Sequence, residues 1–336
     1  MPLPGMPPHG RRRLLLLSAL AGGLGLPALG RAQGVAGAWP ARSVRVVNAY
    51  SPGGTADVVC RIVFAKLAER MGQAFAVENR PGAAGTVAAQ AVARATPDGY
   101  TLLYDATAHS VNPALFGARL PYDTRRDLLP VFLSMVTPNT FMCHPGFEAR
   151  TIPELIALAK ARPGQLDCST TGIGTIQHVA LELLNHRAGI RINHVPYREI
   201  AAARNDLTSG RVPLQSSNVP GSLPLLRAGS VRALAHCGPP GPFPVLPGVP
   251  AVADTLPGFE AWEWNGIFAP AGTPAEIVAR LNAELNAVIA DASVQERLTG
   301  LGATTRANTT AEFSEFRETQ IAFFAEMVQL ANIRID

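Results

Sequence analysis

The sequence predicts an α/β protein folded into two lobes, each built on a mainly parallel sheet flanked by helices. Short β-branched runs alternate with amphipathic stretches of helical length, which is the rhythm of βαβ units. About 300 residues follow a leader-like N-terminal segment, more than a single hydrophobic core usually organises. A glycine- and hydroxyl-rich turn also occurs once in each half, each time between a strand and a helix.

In the first half, residues 44–49 read as a strand, 56–71 as a helix, 75–78 as a strand, 86–95 as a helix and 101–104 as a strand. Val59, Val63, Leu67 and Met71 recur every four residues and so share one buried stripe of the first helix. A second series of strands is expected over 140–144, 166–170, 192–195, 212–216 and 231–236, with helices over 152–161, 176–188 and 201–209 between them. Residues 238–257 carry seven prolines, which forbid helix and central strand alike and predict an ordered surface connection. Two helices close the chain. Ile277, Leu281, Leu285, Val288 and Ile289 form one apolar face, and Phe313, Phe316, Phe323, Phe324 and Met327 are read as another core stripe. The expected division is a segment 1–32, a first lobe of 33–138 completed by 265–336, and a second lobe of 139–264.

Arg11-Arg12-Arg13, an apolar run from Leu14 to Leu29 and the small residues Gly30 and Ala32 have the order of a cleaved export signal, which places the mature chain in the periplasm. The run is too short and too rich in Gly to span a bilayer, and no Cys near it offers a lipid attachment point. Arginines followed by leucines leave the Sec and twin-arginine routes both open. Without residues 1–32, Lys+Arg falls from 29 to 25 against 25 Asp+Glu. A formally neutral chain with no basic cluster denser than Arg125-Arg126 excludes nucleic acid as a partner. Cys60, Cys143, Cys168 and Cys237 show no metal-site spacing; they are read as small buried residues, with a disulfide left open.

The first turn runs Tyr50-Ser51-Pro52-Gly53-Gly54-Thr55-Ala56-Asp57. Its glycines free backbone N–H groups to face a ligand, and the following helix N-terminus adds partial positive charge, so an anion is stabilised there. The alternative is a plain cap, with Ser51 or Thr55 capping the helix and Asp57 favoured by its dipole. Ser169-Thr170-Thr171-Gly172-Ile173-Gly174-Thr175 is a turn of the same type, ahead of a helix that carries Gln177 and His178. In α/β sheets such turns lie at the carboxyl ends of the strands, where two of them from separate lobes face one cleft. Gly172-x-Gly174 lacks the third glycine of a dinucleotide fingerprint, and no phosphate loop, Gly-x-Ser-x-Gly elbow or paired-His metal motif occurs. The expectation is a binding protein that needs no cofactor and performs no catalysis.

Further motifs run the length of the chain: Pro52-Gly53-Gly54-x-x-Asp57, Val77-Glu78-Asn79-Arg80-Pro81-Gly82-x-x-Gly85, Pro97-Asp98-Gly99-Tyr100-Thr101-Leu102-Leu103, Leu120-Pro121-Tyr122-Asp123, Pro163-Gly164-Gln165-Leu166, Gln177-His178, His194-Val195-Pro196-Tyr197, Leu226-Arg227-Ala228-Gly229 and Phe268-Ala269-Pro270-Ala271-Gly272-Thr273-Pro274. In this order, from about Trp39 onward, the chain resembles the tripartite tricarboxylate transporter substrate-binding proteins, also called Bordetella uptake proteins. The resemblance implies a periplasmic, flytrap-like (type II) two-lobe fold that holds a small carboxylate or amino acid for membrane transporter subunits. Some such proteins serve sensing, so a module that signals to a membrane receptor or kinase is the alternative. Carried onto this chain, the resemblance implies contacts from Ser51, Gly53, Gly54, Asp57, Ser169, Thr170, Thr175, Gln177, His178, Tyr197 and Asn218. The two turns themselves add Tyr50, Thr55, Thr171 and Gly172. There are two departures from the family pattern. Ser217 stands where relatives commonly carry a carboxylate, and Glu199 stands where they carry Gly and brings an acid to the cleft, to be paired with Arg198, met by a ligand ammonium or solvated.

Overall fold

The computed structural model describes residues 39–331 and 333–334, so the leader lies outside the described residues. The first half begins with β1 (Val44–Asn48), α1 (Thr55–Met71), β2 (Phe75–Asn79), α2 (Thr86–Ala93) and β3 (Thr101–Ala106), all within two residues of expectation. Gly72, at φ +66°, ends α1 in the left-handed conformation, and its N–H caps the Ala68 carbonyl, which turns the chain back into β2. α3 (Ala108–Phe116) follows, and then β4 (Leu128–Cys143), a single strand of 16 residues. The second half runs α4 (Ile152–Ala161), β5 (Asp167–Thr170), α5 (Ile176–Ala188), β6 (Asn193–Pro196), α6 (Ile200–Thr208), β7 (Leu214–Asn218), α7 (Val219–Arg227) and β8 (Arg232–His236). After the proline-rich connection come β9 (Trp262–Pro270), α8 (Ala275–Ala290), α9 (Ala292–Gly300) and α10 (Thr310–Leu330).

β1 lies parallel between β2 and β3, and β3 pairs antiparallel with β9. In the second half β5 lies parallel between β6 and β7. β4 joins the two groups. Residues 128–138 pair antiparallel with β9, and from Asn139 onward β4 pairs instead with β7 on one side and β8 on the other. The parallel character foreseen for each lobe therefore holds at the outer strands, while the middle is antiparallel.

Residues 128–138 of β4, together with β9 and α7, escaped the sequence reading, which placed only 140–144 of β4 as a strand. Pro130 and Pro138 interrupt the β4 pattern, and the register with β9 shifts between Pro130 and Phe132 and again between Leu133 and Met135, as bulges accommodate residues that cannot donate to a ladder. Pro220 sits in the first turn of α7, where its missing N–H has no partner to lose.

One core packs α1, α8 and α9 on the sheet of the first half, and the predicted stripe of α8 is fully buried within it. A second packs α4 and α5 on the other half. α10 serves both halves. Phe313 and Phe316 meet the ring of Trp264 edge-on at 5.9 and 5.8 Å, whereas Phe324 and Val328 enter the core of the second half. Phe323 corrects the expected aromatic stripe, since it is 43 % exposed. Adjacent residues point about 100° apart on a helix, so Phe323 and Phe324 cannot share a face. All four cysteines are buried and unpaired.

Gly266 of β9 lies so close beneath α10 that a Cβ there would stand 2.2 Å from Cζ of Phe313. Gly266→Ala is expected to cost about 1–3 kcal/mol through overpacking, read as a fall of several degrees in the thermal unfolding midpoint.

Candidate functional site

A cavity of about 970 Å³ lies between the two halves, at the carboxyl ends of the strands. Both predicted turns open on it. In the first, Gly54 is the N-cap of α1 and has no side-chain cap, so neither Ser51 nor Thr55 caps the helix. The turn is shaped by Asp57, whose carboxylate accepts from the N–H of Gly53 at 3.0 Å, from Arg61 Nε at 3.0 Å and from Asn79 Nδ2 at 2.8 Å. Burial disfavours the charge of Asp57, but the hydrogen bonds from Arg61, Gly53 and Asn79 outweigh it and hold the carboxyl below its ordinary range. In the second turn Thr175 is the uncapped N-cap of α5, and its hydroxyl donates back to the Gly172 carbonyl at 2.8 Å.

Four further helices begin at the same cavity, through Gly85 of α2, Ala108 of α3, Glu199 and Ile200 of α6, and Asn218 of α7. None of the six N-caps is made by a side chain. By contrast α4, α9 and α10, which start away from the cavity, are capped by Thr151, Asp291 and Thr309; α8, starting at Pro274, is uncapped without facing it. First-turn N–H groups left without an acceptor, at the positive end of a helix dipole, form an anion site. Ahead of α2 the backbone is strained as well: Ala83 and Ala84, at φ 44° and 53°, are non-glycine residues in the left-handed region, and Asn112 Nδ2 holds the Ala84 carbonyl at 2.9 Å.

Contacts cross the cavity mouth. Ser51 Oγ donates to the Arg198 carbonyl at 3.0 Å, and Arg204 Nη2 donates to the carbonyls of Gly221 at 2.8 Å and Gly53 at 3.4 Å. A Cβ on Gly221 would stand 3.0 Å from Thr55 Oγ1, so glycine is what lets the starts of α7 and α1 approach. On the floor, Glu263 of β9 is 5 % exposed and accepts from Asn265 Nδ2 at 3.0 Å. Burial pushes its carboxyl up to about 8, with the neighbouring acid Asp105 adding to the rise and hydrogen bonds from Asn265, Thr107 and Asn218 opposing it.

Of the residues singled out in the sequence, Tyr50, Ser51, Gly54, Thr55, Thr171, Gly172, Thr175, Gln177, Tyr197, Glu199, Ser217 and Asn218 line the cavity. Gln177 links the halves of its own lobe, accepting from Thr171 Oγ1 at 3.0 Å and donating to Asn218 Oδ1 at 2.7 Å. Tyr197 lines the wall, but its hydroxyl is taken by Asp206. Glu199 is exposed at the rim and forms no ion pair with Arg198. Gly53, Asp57, Ser169, Thr170 and His178 are not among the lining residues: Gly53 is exposed at the mouth, where its carbonyl accepts from Arg204, and the other four stand behind the wall and position it. Ser169 Oγ donates to the Leu214 carbonyl, Thr170 Oγ1 lies 2.6 Å from His194 Nε2, and His178 Nδ1 accepts the Gly174 N–H at 3.2 Å. The reading from sequence missed Glu263, Arg119 and Arg204, for which no local motif gave a signal. It also missed the 82–85 turn, whose paired glycines did give one.

The rings of His178 and His194 stack with centroids 3.9 Å apart. Burial lowers His178 to about 3, with His194 adding to the effect, and lowers His194 to about 4. Both are neutral in the fold, so the stability tied to them is complete above the ordinary imidazole value of 6.5 and is lost as pH falls through about 4. Thermal unfolding between pH 7 and pH 4 is expected to show a steeper loss in the parent protein than in a His178→Asn/His194→Asn double variant.

The model of the tripartite tricarboxylate transporter family receptor matches residues 59–333. Three solved structures are similar over nearly the whole described chain. The Rhodopseudomonas palustris protein Rpa4515 with adipate is 33% identical, with a TM-score of 0.85 covering 88% of this chain and 99% of that one. The periplasmic binding protein BugD is 30% identical, with a TM-score of 0.83 over 88% and 99%. MatC from Rhodopseudomonas palustris with bound malate is 31% identical, with a TM-score of 0.81 over 86% and 100%. Among the described residues no helix is long and apolar enough to cross a membrane.

Proposed function

Since the chain belongs to the tripartite tricarboxylate transporter receptor family, we propose that it is an extracytoplasmic receptor that captures a small carboxylate and delivers it to membrane transporter subunits. The observation that carries this reading is the convergence of six side-chain-uncapped helix N-termini on one cavity of about 970 Å³. Each such terminus favours a negative charge by about 0.3–1 kcal/mol, and more where water is excluded. In this reading the lobes are residues 33–138 with 265–336 and residues 139–264, and they close on the ligand by a hinge where β4 exchanges its partners. The bonds from Ser51 and Arg204 across the mouth support closure of that kind.

Adipate and malate in similar proteins support a dicarboxylate, and a periplasmic relative together with the leader-like N-terminus supports a periplasmic site of action. The hydroxyls favour binding over covalent chemistry, because Ser51 donates to a carbonyl and Thr171 to an amide instead of to a base. Uptake is preferred to sensing because the matching family is one of transporter receptors.

A thermal-shift screen over mono-, di- and aromatic carboxylates and amino acids tests the reading. At least one carboxylate is expected to raise the unfolding midpoint by several degrees, and a panel without effect at millimolar concentration overturns it. Gly221→Val, which obstructs the approach of α7 to α1, is expected to weaken the identified ligand at least tenfold while the unfolding midpoint without ligand changes little.

A further inference from the structure

Glu263 sits on β9 opposite Thr137 of β4, at the join between the halves, and is one of the residues that line the cavity. Its hydrogen-bond partners, Asn265, Thr107 and Asn218, are all neutral. Behind it on β3 lies Asp105, fully buried, which accepts from the Tyr50 hydroxyl at 3.2 Å and lies 3.2 Å from His109 Nδ1 on α3. The charged groups on the facing elements are Arg119 after α3, Arg198 and Glu199 at the start of α6, and Arg204 within α6, all of which line the same cavity. None of these cations pairs with Glu263. A buried acid beside another acid, with only neutral partners, keeps its proton.

We propose that Glu263 acts as a neutral carboxyl that donates a hydrogen bond to a carboxylate of the ligand, an inference that rests on the carboxylate-binding reading above. Glu263 thereby selects for acid groups at the floor, while the helix N-termini serve the other end of the ligand. An O–H to carboxylate bond is short and charge-assisted, and it is lost when Glu263 ionises, because two negative carboxylates then face each other. A ligand ammonium has the opposite preference and binds better to the ionised form.

Calorimetric titration with adipate from pH 6 to pH 9.5 tests the assignment. Affinity is expected to hold on the acid side and then to fall about tenfold per pH unit once Glu263 ionises, as proton linkage requires. Glu263→Gln keeps a donor without the titrating proton and is expected to flatten the profile. Glu263→Ala removes the donor and is expected to weaken adipate about tenfold or more at pH 6.5. A flat profile in the parent protein, an unchanged slope in Glu263→Gln, or an amino acid whose affinity rises as Glu263 ionises would each overturn the inference.

Carbon-detected NMR of the unliganded protein separates this inference from the reading beneath it. If no carboxylate binds but Glu263 titrates above pH 7, the receptor reading fails while the neutral carboxyl stands without its partner, and the proposed contact falls with the ligand. If carboxylates bind and Glu263 titrates in the ordinary carboxylate range, only the Glu263 assignment fails.

Discussion

The structure turns on a set of helix starts that no side chain caps. A helix start normally satisfies its first N–H groups with a Ser, Thr, Asp or Asn side chain, and substituting such a cap typically costs about 1 kcal/mol. This chain uses that device at α4, α9 and α10 and withholds it at six helices that begin around one cavity. The omission makes sense when an acceptor arrives from outside. Much of the surrounding architecture maintains the arrangement: Asp57 fixes the Gly53 turn, the stacked imidazoles fix Gly174, and Asn112 fixes the strained backbone at Ala84.

The second requirement is that the two groups of amides face each other. β4 supplies the frame, because it runs from one group of strands into the other without a break and hands its pairing from β9 to β7 and β8 at Asn139. α10 repeats the link on the outside, contributing rings to the cores of both halves. β4 and the shared helix α10 join the halves, while the contacts across the mouth are hydrogen bonds from Ser51 and Arg204.

The sequence disclosed the outer parts of the fold better than the centre. β1, α1, β2 and β5 follow simple periodicity and were placed to within a few residues, whereas β4 carries internal prolines tolerated through bulges, and α7 begins with a proline that reads as a breaker. In the site, the two glycine-hydroxyl turns were visible because their function depends on local backbone freedom. Glu263 was not, since its character comes first from burial and then from neighbours such as Asp105 and Asn218, distant in the chain and brought together only by β3, β7 and β9. Asp57, Thr170 and His178 act on the backbone of the wall, one layer removed from the space they shape.

The four unpaired cysteines have a consequence of their own. Cys60 belongs to the core of the first half, and Cys143, Cys168 and Cys237 belong to that of the second. Burial pushes the thiols up, Cys168 to about 12, so a thiol reagent finds neither access nor thiolate until the surrounding core opens. The ratio of one sulfur to three is thus a built-in tally: the stoichiometry of labelling during partial unfolding names the half of the molecule that has come apart.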